Sequence, residues 1–201
     1  MKPQPTPPGT AKLSAKAVLM VIDAQKDFLS PQAPYQCVNS ASVIDHISKA
    51  IQIARKHHIP VVFTREVHAA DGSDYGMEAV IGEPPHCIAG SAGMEIIDEL
   101  KPQPGDIVID KRRYSAFLHT PLETCLNSLG NPVLYITGFC TNACVYCTAI
   151  DAFQLDHHVY VIEECVSATS HSNHQMGLAM LRAIWEKLVI SLEEFQQAIC
   201  Q

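Results

Sequence analysis

The sequence has few charged residues, no basic run and no long hydrophobic run. Charged residues make up 17% of the 201 residues, and the net charge is −7. Because nucleic-acid surfaces need clustered Lys and Arg, we expect no nucleic-acid partner. The first apolar run, Ala17–Ile22, ends after six residues, whereas a membrane helix needs about 20. The N-terminus also lacks the hydrophobic segment of a secretory signal, so we expect a cytoplasmic protein with no membrane partner.

Cysteine, by contrast, is plentiful, with eight residues. A set of disulfides is one explanation, but disulfides persist in oxidising compartments, and the expected location is cytoplasmic. We therefore expect reduced cysteines, most of them small buried residues and one of them a reactive thiol. The hydrophobic content of 47% supports a globular protein with a full core.

Short apolar runs alternate with amphipathic stretches along most of the chain. The predicted strands, rich in Val and Ile, are residues 17–22, 61–64, 107–110, 133–137, 159–162 and 188–190. Helical periodicity covers residues 43–54, 122–129 and 176–183, and Ser191 with Glu194 forms the capping box of a final helix. This alternation predicts an α/β fold in which helices cover both faces of a parallel sheet.

Two segments stand outside this alternation. Residues 1–16 are rich in proline and predict an extended tail, which leaves residues 17–201 as a single domain. Residues 66–93 form the longest irregular segment and are rich in Gly, His, Asp and Pro. Loops of this length commonly form lids or substrate walls, so we expect this one to cover a binding site.

Three ionisable residues lie at the ends of three predicted strands. Asp23 closes the first strand, Lys111 follows the third, and Cys144 lies just beyond the fourth. Ligands bind at the carboxyl ends of strands in an open parallel sheet, so these side chains should converge there. Taken singly, each has a simpler explanation as a turn cap, a surface charge or a small core residue. Together they predict a thiol nucleophile, a cation beside it and a carboxylate that moves its proton.

The segment around Cys144 predicts a strand that breaks at Gly138, a short turn, and a helix that begins on the cysteine. A helix N-terminus and a nearby cation lower the pKa of a thiol, so we expect a lowered pKa for Cys144. The backbone N–H groups of Cys140 and Cys144 are predicted to form an oxyanion hole. Attack on an amide would then give a thioester that water hydrolyses.

Three motifs resemble those of the isochorismatase-like cysteine hydrolases, the superfamily that includes nicotinamidases and N-carbamoylsarcosine amidohydrolases. They are VIDAQKDF at residues 21–28, DKRRYSAF at residues 110–117 and GFCTNACVYCTAID at residues 138–151. The resemblance covers almost the whole chain from residue 17 onward. It implies a three-layer α-β-α fold with a six-stranded parallel, Rossmann-like sheet.

The same resemblance implies site residues and chemistry. It implies an Asp23–Lys111–Cys144 triad and a cis peptide bond between Phe139 and Cys140. Isochorismatases proper cleave a vinyl ether and generally lack the cysteine, so Cys144 points to C–N bond hydrolysis in a small carboxamide, ureido or carbamoyl substrate. Family members usually assemble as dimers or tetramers, which implies a homo-oligomer.

The resemblance also raises the question of a metal. Nicotinamidases bind a divalent metal through an Asp-x-His pair after the second strand and a later His, and the corresponding residues here are Glu66, His68 and His86. A carboxylate and two His suit zinc or another first-row metal. Glu66 departs from the pattern, and the aromatic and second His that normally follow are missing. We favour an enzyme that requires no cofactor, with both histidines as hydrogen-bonding lid residues, and keep a metal-containing nicotinamidase as the alternative.

Four aromatic residues flank the predicted site and could wall a small substrate pocket together with His68. They are Phe28, Tyr114, Phe117 and Phe139. Aromatic side chains are also common in hydrophobic cores, so these residues have a structural explanation as well.

Two further functions are compatible with parts of the sequence. Cys140, Cys144 and Cys147 have the spacing of a radical-SAM iron–sulfur motif, but the chain after them is too short for the barrel of such enzymes. The fold could also serve as a catalytically inactive scaffold, since a fold does not guarantee activity. The complete set of acid, amine and thiol argues against a scaffold.

Overall fold

The computed structural model of the protein describes residues 17–200, so the predicted tail over residues 1–16 lies outside the described residues. In this described part of the chain, six strands form one sheet: β1 Ala17–Ile22, β2 Val61–Glu66, β3 Ile107–Lys111, β4 Val133–Phe139, β5 Val159–Ser167 and β6 Val189–Ile190. All neighbouring strands are parallel, and their order is β3-β2-β1-β4-β5-β6. This is a doubly wound order, and the predicted six-stranded parallel sheet is confirmed.

Over residues 17–200, seven α-helices accompany the strands: α1 Lys26–Leu29, α2 Ser40–Lys56, α3 Met77–Val80, α4 Leu122–Ser128, α5 Tyr146–Gln154, α6 His171–Ile184 and α7 Leu192–Ile199. Helices α2 and α7 pack on one face of the sheet, and α4, α5 and α6 pack on the other, which confirms the three-layer fold. The predicted capping box of α7, between Ser191 and Glu194, is present. Between residues 17 and 200, no helix has the length and apolar character needed to cross a membrane.

The central strands are apolar on both sides because helices cover both faces of the sheet. In β1, Leu19 and Val21 pack on the side of α2, whereas Val18 and Met20 pack on the side of α4 and α5. All four side chains are fully buried. Such continuous apolar runs are typical of parallel strands, and they made β1 easy to predict.

Strand β5 is longer than predicted. The prediction ended too early because two glutamates interrupt the apolar run of the strand. The expected end was residue 162, but the strand continues to Ser167. The carboxylate of Glu163 pairs with Arg182 of α6 at 2.5 Å, and that of Glu164 accepts from the N–H of Leu192 at 2.9 Å. Groups of the helices beside the sheet pair with both carboxylates, so the two glutamates are tolerated within the strand.

A glycine allows β4 to approach β1 closely next to the site. Gly138 pairs with Ile22 across the two strands, and its φ angle is +113°. A Cβ atom at this position would lie 2.0 Å from the carbonyl oxygen of Ile22. Only glycine fits this combination of backbone angle and space. The close approach brings the turn after β4 next to the end of β1.

Candidate active site

The structure brings the three predicted residues together at the carboxyl edge of the sheet. Asp23 follows β1, Lys111 ends β3, and Cys144 lies in the π-helical turn Thr141–Val145 after β4. The ammonium nitrogen of Lys111 is 2.7 Å from Oδ2 of Asp23 and donates to Sγ of Cys144 at 3.4 Å. The exposed fractions are 0% for Asp23, 1% for Lys111 and 4% for Cys144. A buried chain of polar contacts therefore joins a carboxylate to a thiol.

Two further groups hold this chain in place. Thr64 of β2 donates its hydroxyl proton to Oδ1 of Asp23 at 2.6 Å. The carbonyl oxygen of Arg113 accepts from the Lys111 ammonium at 2.9 Å. The Lys111 ammonium thus has two hydrogen-bond acceptors and an ion-pair partner, and a buried charge needs such partners. Sequence reasoning placed Thr64 in a strand but gave it no role, because its contact with Asp23 depends on strand pairing.

Burial and the charges of neighbouring groups compete in setting the pKa values of the triad. Burial raises the pKa of Asp23, although the Lys111 charge opposes that change. Burial alone lowers the pKa of Lys111, but the negative charges of Asp23 and Cys144 raise it well above its usual value. Burial also raises the pKa of the Cys144 thiol, against the effect of Lys111. The expected lowering for Cys144 is therefore wrong, because desolvation outweighs the cation. A protonated thiol needs a base, and a raised pKa makes Asp23 a stronger one.

The helical segment begins at Thr141, so the prediction that a helix begins on Cys144 is wrong. The carbonyl of Cys140 accepts from the N–H groups of Ala143 and Val145, both at 3.1 Å, and these bonds start the helical turn before Cys144. Cys140 itself has an extended backbone. The peptide bond before it, from Phe139, is cis, as the resemblance implies. Oxyanion binding by the amides of Cys140 and Cys144 stays a prediction.

The motif at residues 21–28 also fastens the long loop to the sheet. The side-chain amide nitrogen of Gln25 donates to the carbonyls of Glu66 and Met94 at 2.7 and 2.9 Å, and its oxygen accepts from the N–H of Glu66 at 2.7 Å. Oδ2 of Asp27 accepts from the N–H of Cys87 at 2.7 Å. These contacts hold residues 66–93 at the carboxyl edge of the sheet, where the triad lies.

A second polar cluster lies at the end of β2. Its members are Glu66, His68, His86 and, in addition to the predicted three, Glu78 of α3. One ligand atom of each residue lies within 4.8 Å of the others. Nε2 of His68 is 3.6 Å from Oε1 of Glu66 and 3.5 Å from Oε2 of Glu78. Sequence reasoning missed Glu78 because only the folding of the loop brings α3 to this place.

The second cluster has the properties of a metal site. Within the described residues, both ring nitrogens of His68, Oε1 of Glu66 and Oε2 of Glu78 are buried without a hydrogen-bond partner. Buried charges of this kind need a proton or a cation. Burial alone raises the pKa of Glu66, but Lys111 and the two histidines lower it to about 2. Two carboxylates and two imidazoles are a suitable donor set for zinc or another first-row metal, so these residues fit one.

The aromatic residues expected to wall the pocket lie in different surroundings. Phe28 is buried beside the second cluster, with its ring 6.0 Å from that of His86. Phe139 is fully buried in the hydrophobic core. Phe117 stacks at 5.7 Å on His157, which precedes β5 and so lies toward the opposite edge of the sheet. The rings of Phe139 and Phe117 thus make core and edge contacts, and their predicted roles in a substrate pocket stay predictions.

A cavity of about 680 Å³ lies beside the second cluster. Its walls include Tyr75, Met77, Glu78, Ile81, Tyr114 and Leu118. The cavity also reaches Cys147, one helical turn after Cys144. Its volume falls within the range of about 300–1,000 Å³ for small-molecule sites. Of the predicted pocket aromatics, Tyr114 is the one in this wall.

Comparison with known proteins assigns the chain to a family. The isochorismatase domain matches residues 17–193. An isochorismatase family protein from Desulfovibrio vulgaris is 28% identical, with a TM-score of 0.84 over 93% of this chain and 100% of that chain. The nicotinamidase/pyrazinamidase of Bacillus subtilis is 26% identical, with a TM-score of 0.78 over 88% and 100% of the two chains. The N-carbamoylsarcosine amidase of Thermoplasma acidophilum is 26% identical, with a TM-score of 0.76 over 88% and 96%.

The domain match spans most of the chain, and the similar structures share the complete fold. The chain therefore belongs to the isochorismatase family, and the resemblance stated from the three motifs is confirmed. The protein is an enzyme of the hydrolase class.

Proposed function

We propose that the protein is a cysteine-dependent amidohydrolase that cleaves the C–N bond of a small carboxamide, ureido or carbamoyl substrate. The observation that carries this proposal is the position of Lys111, whose ammonium contacts Asp23 at 2.7 Å and Cys144 at 3.4 Å. The amidase and nicotinamidase among the similar structures support the same type of bond. A thiol nucleophile near a carboxylate base, with a cation between them, is an arrangement suited to covalent amide hydrolysis.

The proposed reaction has two stages. Asp23 accepts the proton of the Cys144 thiol, and the sulfur attacks the carbonyl carbon of the substrate. The N–H groups of Cys140 and Cys144 bind the oxyanion, and the C–N bond breaks as Asp23 returns the proton to the departing amine. Water, activated by Asp23, then hydrolyses the thioester and frees the thiol. Lys111 remains protonated throughout and stabilises the sulfur anion.

Replacement of the thiol or the carboxylate tests this mechanism. Cys144→Ala and Asp23→Asn should each lower kcat by about 10⁴-fold or more. The residues of a triad act as a unit, so the loss of one removes most of the catalytic effect of the others. The measurement is ammonia release across a panel of simple amides and ureides, with circular dichroism to check folding. Cys125→Ala, on the surface helix α4, is the matched control and should keep full activity.

Retained turnover in either site variant would refute the mechanism. A wild-type protein that releases no ammonia from any compound, with Cys144 no more reactive to alkylation than the other cysteines, would support the inactive scaffold instead.

The second candidate function is a metal-containing nicotinamidase. The unpartnered buried atoms of Glu66, His68 and Glu78 favour it, because they form a donor set for a divalent ion together with His86. A bound zinc ion would supply a Lewis-acid contact for a ring nitrogen of the substrate. The protein residues would hold that ion beside the cavity, while Cys144 carries out the chemistry described above.

Metal content and nicotinamide hydrolysis test this candidate together. The purified protein should contain about one divalent ion per chain, and chelation should abolish hydrolysis of nicotinamide until zinc is returned. Glu78→Gln should weaken metal binding about 10- to 100-fold, whereas Glu83→Gln, outside the cluster, should not change it. A metal-free protein with unchanged activity would leave the metal-independent amidohydrolase as the function.

A further inference from the structure

Two thiols lie in contact beside the turn that carries the nucleophile. Sγ of Cys37 is 3.5 Å from Sγ of Cys140, although the two residues are 103 positions apart in the chain. Both are free cysteines. Cys37 is buried, with 3% of its surface exposed, while Cys140 is partly exposed. The contact therefore joins a residue that is partly exposed to one that the protein encloses.

Backbone hydrogen bonds hold each of these two cysteines in place. The N–H of Cys37 donates to the carbonyl of Phe28 at 3.0 Å, and the next N–H, of Val38, donates to Ala168 at 2.9 Å. On the other side, the carbonyl of Cys140 is fixed by the two bonds that start the helical turn at Thr141. The proximity of the sulfurs thus follows from the fold and not from a flexible loop.

We propose that Cys37 and Cys140 are a reversible oxidative modification site that forms a disulfide on exposure to a peroxide. A disulfide has an S–S distance of about 2.05 Å, so the sulfurs need to close by roughly 1.5 Å. Peroxide first oxidises the thiol of Cys140, the more accessible of the two residues, to a sulfenic acid and is reduced to water. The Cys37 thiol then attacks that sulfur, the S–O bond breaks, and a second water leaves. A dithiol reductant restores both thiols.

This modification would act on the proposed chemistry through Cys140. If the amide of Cys140 binds the oxyanion, as the proposed function requires, a disulfide at its side chain displaces that donor. Loss of one oxyanion donor lowers kcat by about 10²–10³-fold. The hydrogen bond between its thiol and Cys37, together with burial, raises the pKa of Cys140, so its thiolate is scarce and oxidation should proceed slowly.

Peptide mass spectrometry of the whole protein tests the disulfide directly. After incubation with hydrogen peroxide over hours and quenching, a non-reducing digest should contain the peptides of Cys37 and Cys140 linked, about 2 Da lighter than their sum. Dithiothreitol should separate them. The same link should form in Cys144→Ala, where the nucleophile is absent. Failure to find the link while Cys140 is oxidised to sulfinic acid, or a link between other cysteines, would overturn the proposal.

Activity assays of a variant give a second, independent readout. Cys37→Ser should retain basal activity and lose the reversible inactivation by peroxide, whereas Cys125→Ser should behave as the wild type does. Reversible inactivation that persists in Cys37→Ser would contradict the proposal. A linked protein with full activity would leave the modification site standing and refute the oxyanion role of Cys140, so the two proposals fail separately.

Discussion

At the scale of single residues, Lys111 shows what a sequence can and cannot predict about this site. Its place after an apolar run was enough to predict that it meets Asp23 and Cys144, because parallel strands bring their carboxyl ends together. The sequence did not predict that all three groups are almost fully buried. That burial reverses the expected pKa change of Cys144, since desolvation depends on the surrounding fold.

Lys111→Met should destabilise the protein by about 3–5 kcal/mol, because it leaves the Asp23 carboxylate buried without its cation. Urea unfolding at neutral pH measures this change. The double variant Asp23→Asn with Lys111→Met, which removes both charges, should recover most of the lost stability and is the matched control.

The loss from Lys111→Met should also depend on pH. Asp23 already has a raised pKa in the folded protein, and removal of the cation raises it further. A carboxyl group whose pKa is raised in the folded protein makes the free energy of unfolding fall as the pH rises above its unfolded pKa. The variant has the higher folded pKa, so its stability deficit should be small near pH 4 and grow toward pH 7. A deficit that is constant over this range would show that the ion pair is not its cause.

At the scale of secondary-structure elements, α6 supports the turn that carries Cys144. The Thr141 hydroxyl and Nδ1 of His174 are hydrogen-bonded at 3.0 Å. A Cβ atom on Gly177 would lie 2.9 Å from the carbonyl carbon and oxygen of Thr141, so the helix touches the backbone of the turn. Apolar periodicity predicted the later part of α6 from residue 176. It could not predict this contact, which depends on how the helix docks on the sheet.

Gly177→Ala should lower kcat by about 10- to 100-fold, because the added methyl group shifts the turn of the nucleophile, and small displacements of reacting groups are costly. Substrate affinity should change little. Helix propensity favours alanine by about 1 kcal/mol, so stability should be nearly unchanged and the kinetic effect separable from unfolding. Met176→Ala, a half-exposed neighbour on α6, should leave kcat intact. An unchanged kcat in Gly177→Ala would mean that α6 does not position the turn.

At the scale of the whole molecule, the alternation of strands and helices was sufficient to predict the layers of the fold. The loop at residues 66–93 was predicted to be a lid, and this role stays a prediction. The set of metal-binding residues predicted in it was incomplete, because no periodic pattern marks Glu78 as a neighbour of His68. Phe117 and Phe139 were assigned to a pocket from their positions near the motifs, whereas their rings make edge and core contacts. The single domain over residues 17–201 and the homo-oligomer stay predictions.

With Asp23 and Lys111 beneath the surface and only 4% of Cys144 exposed, a narrow molecule alone can reach the sulfur. On the proposed mechanism, the carboxamides of asparagine and glutamine side chains in folded proteins are poor substrates, because the attached polypeptide hinders their approach to a sulfur at this depth. The depth of the reacting groups would then restrict the proposed enzyme to free small molecules, without a separate contact that rejects each protein amide.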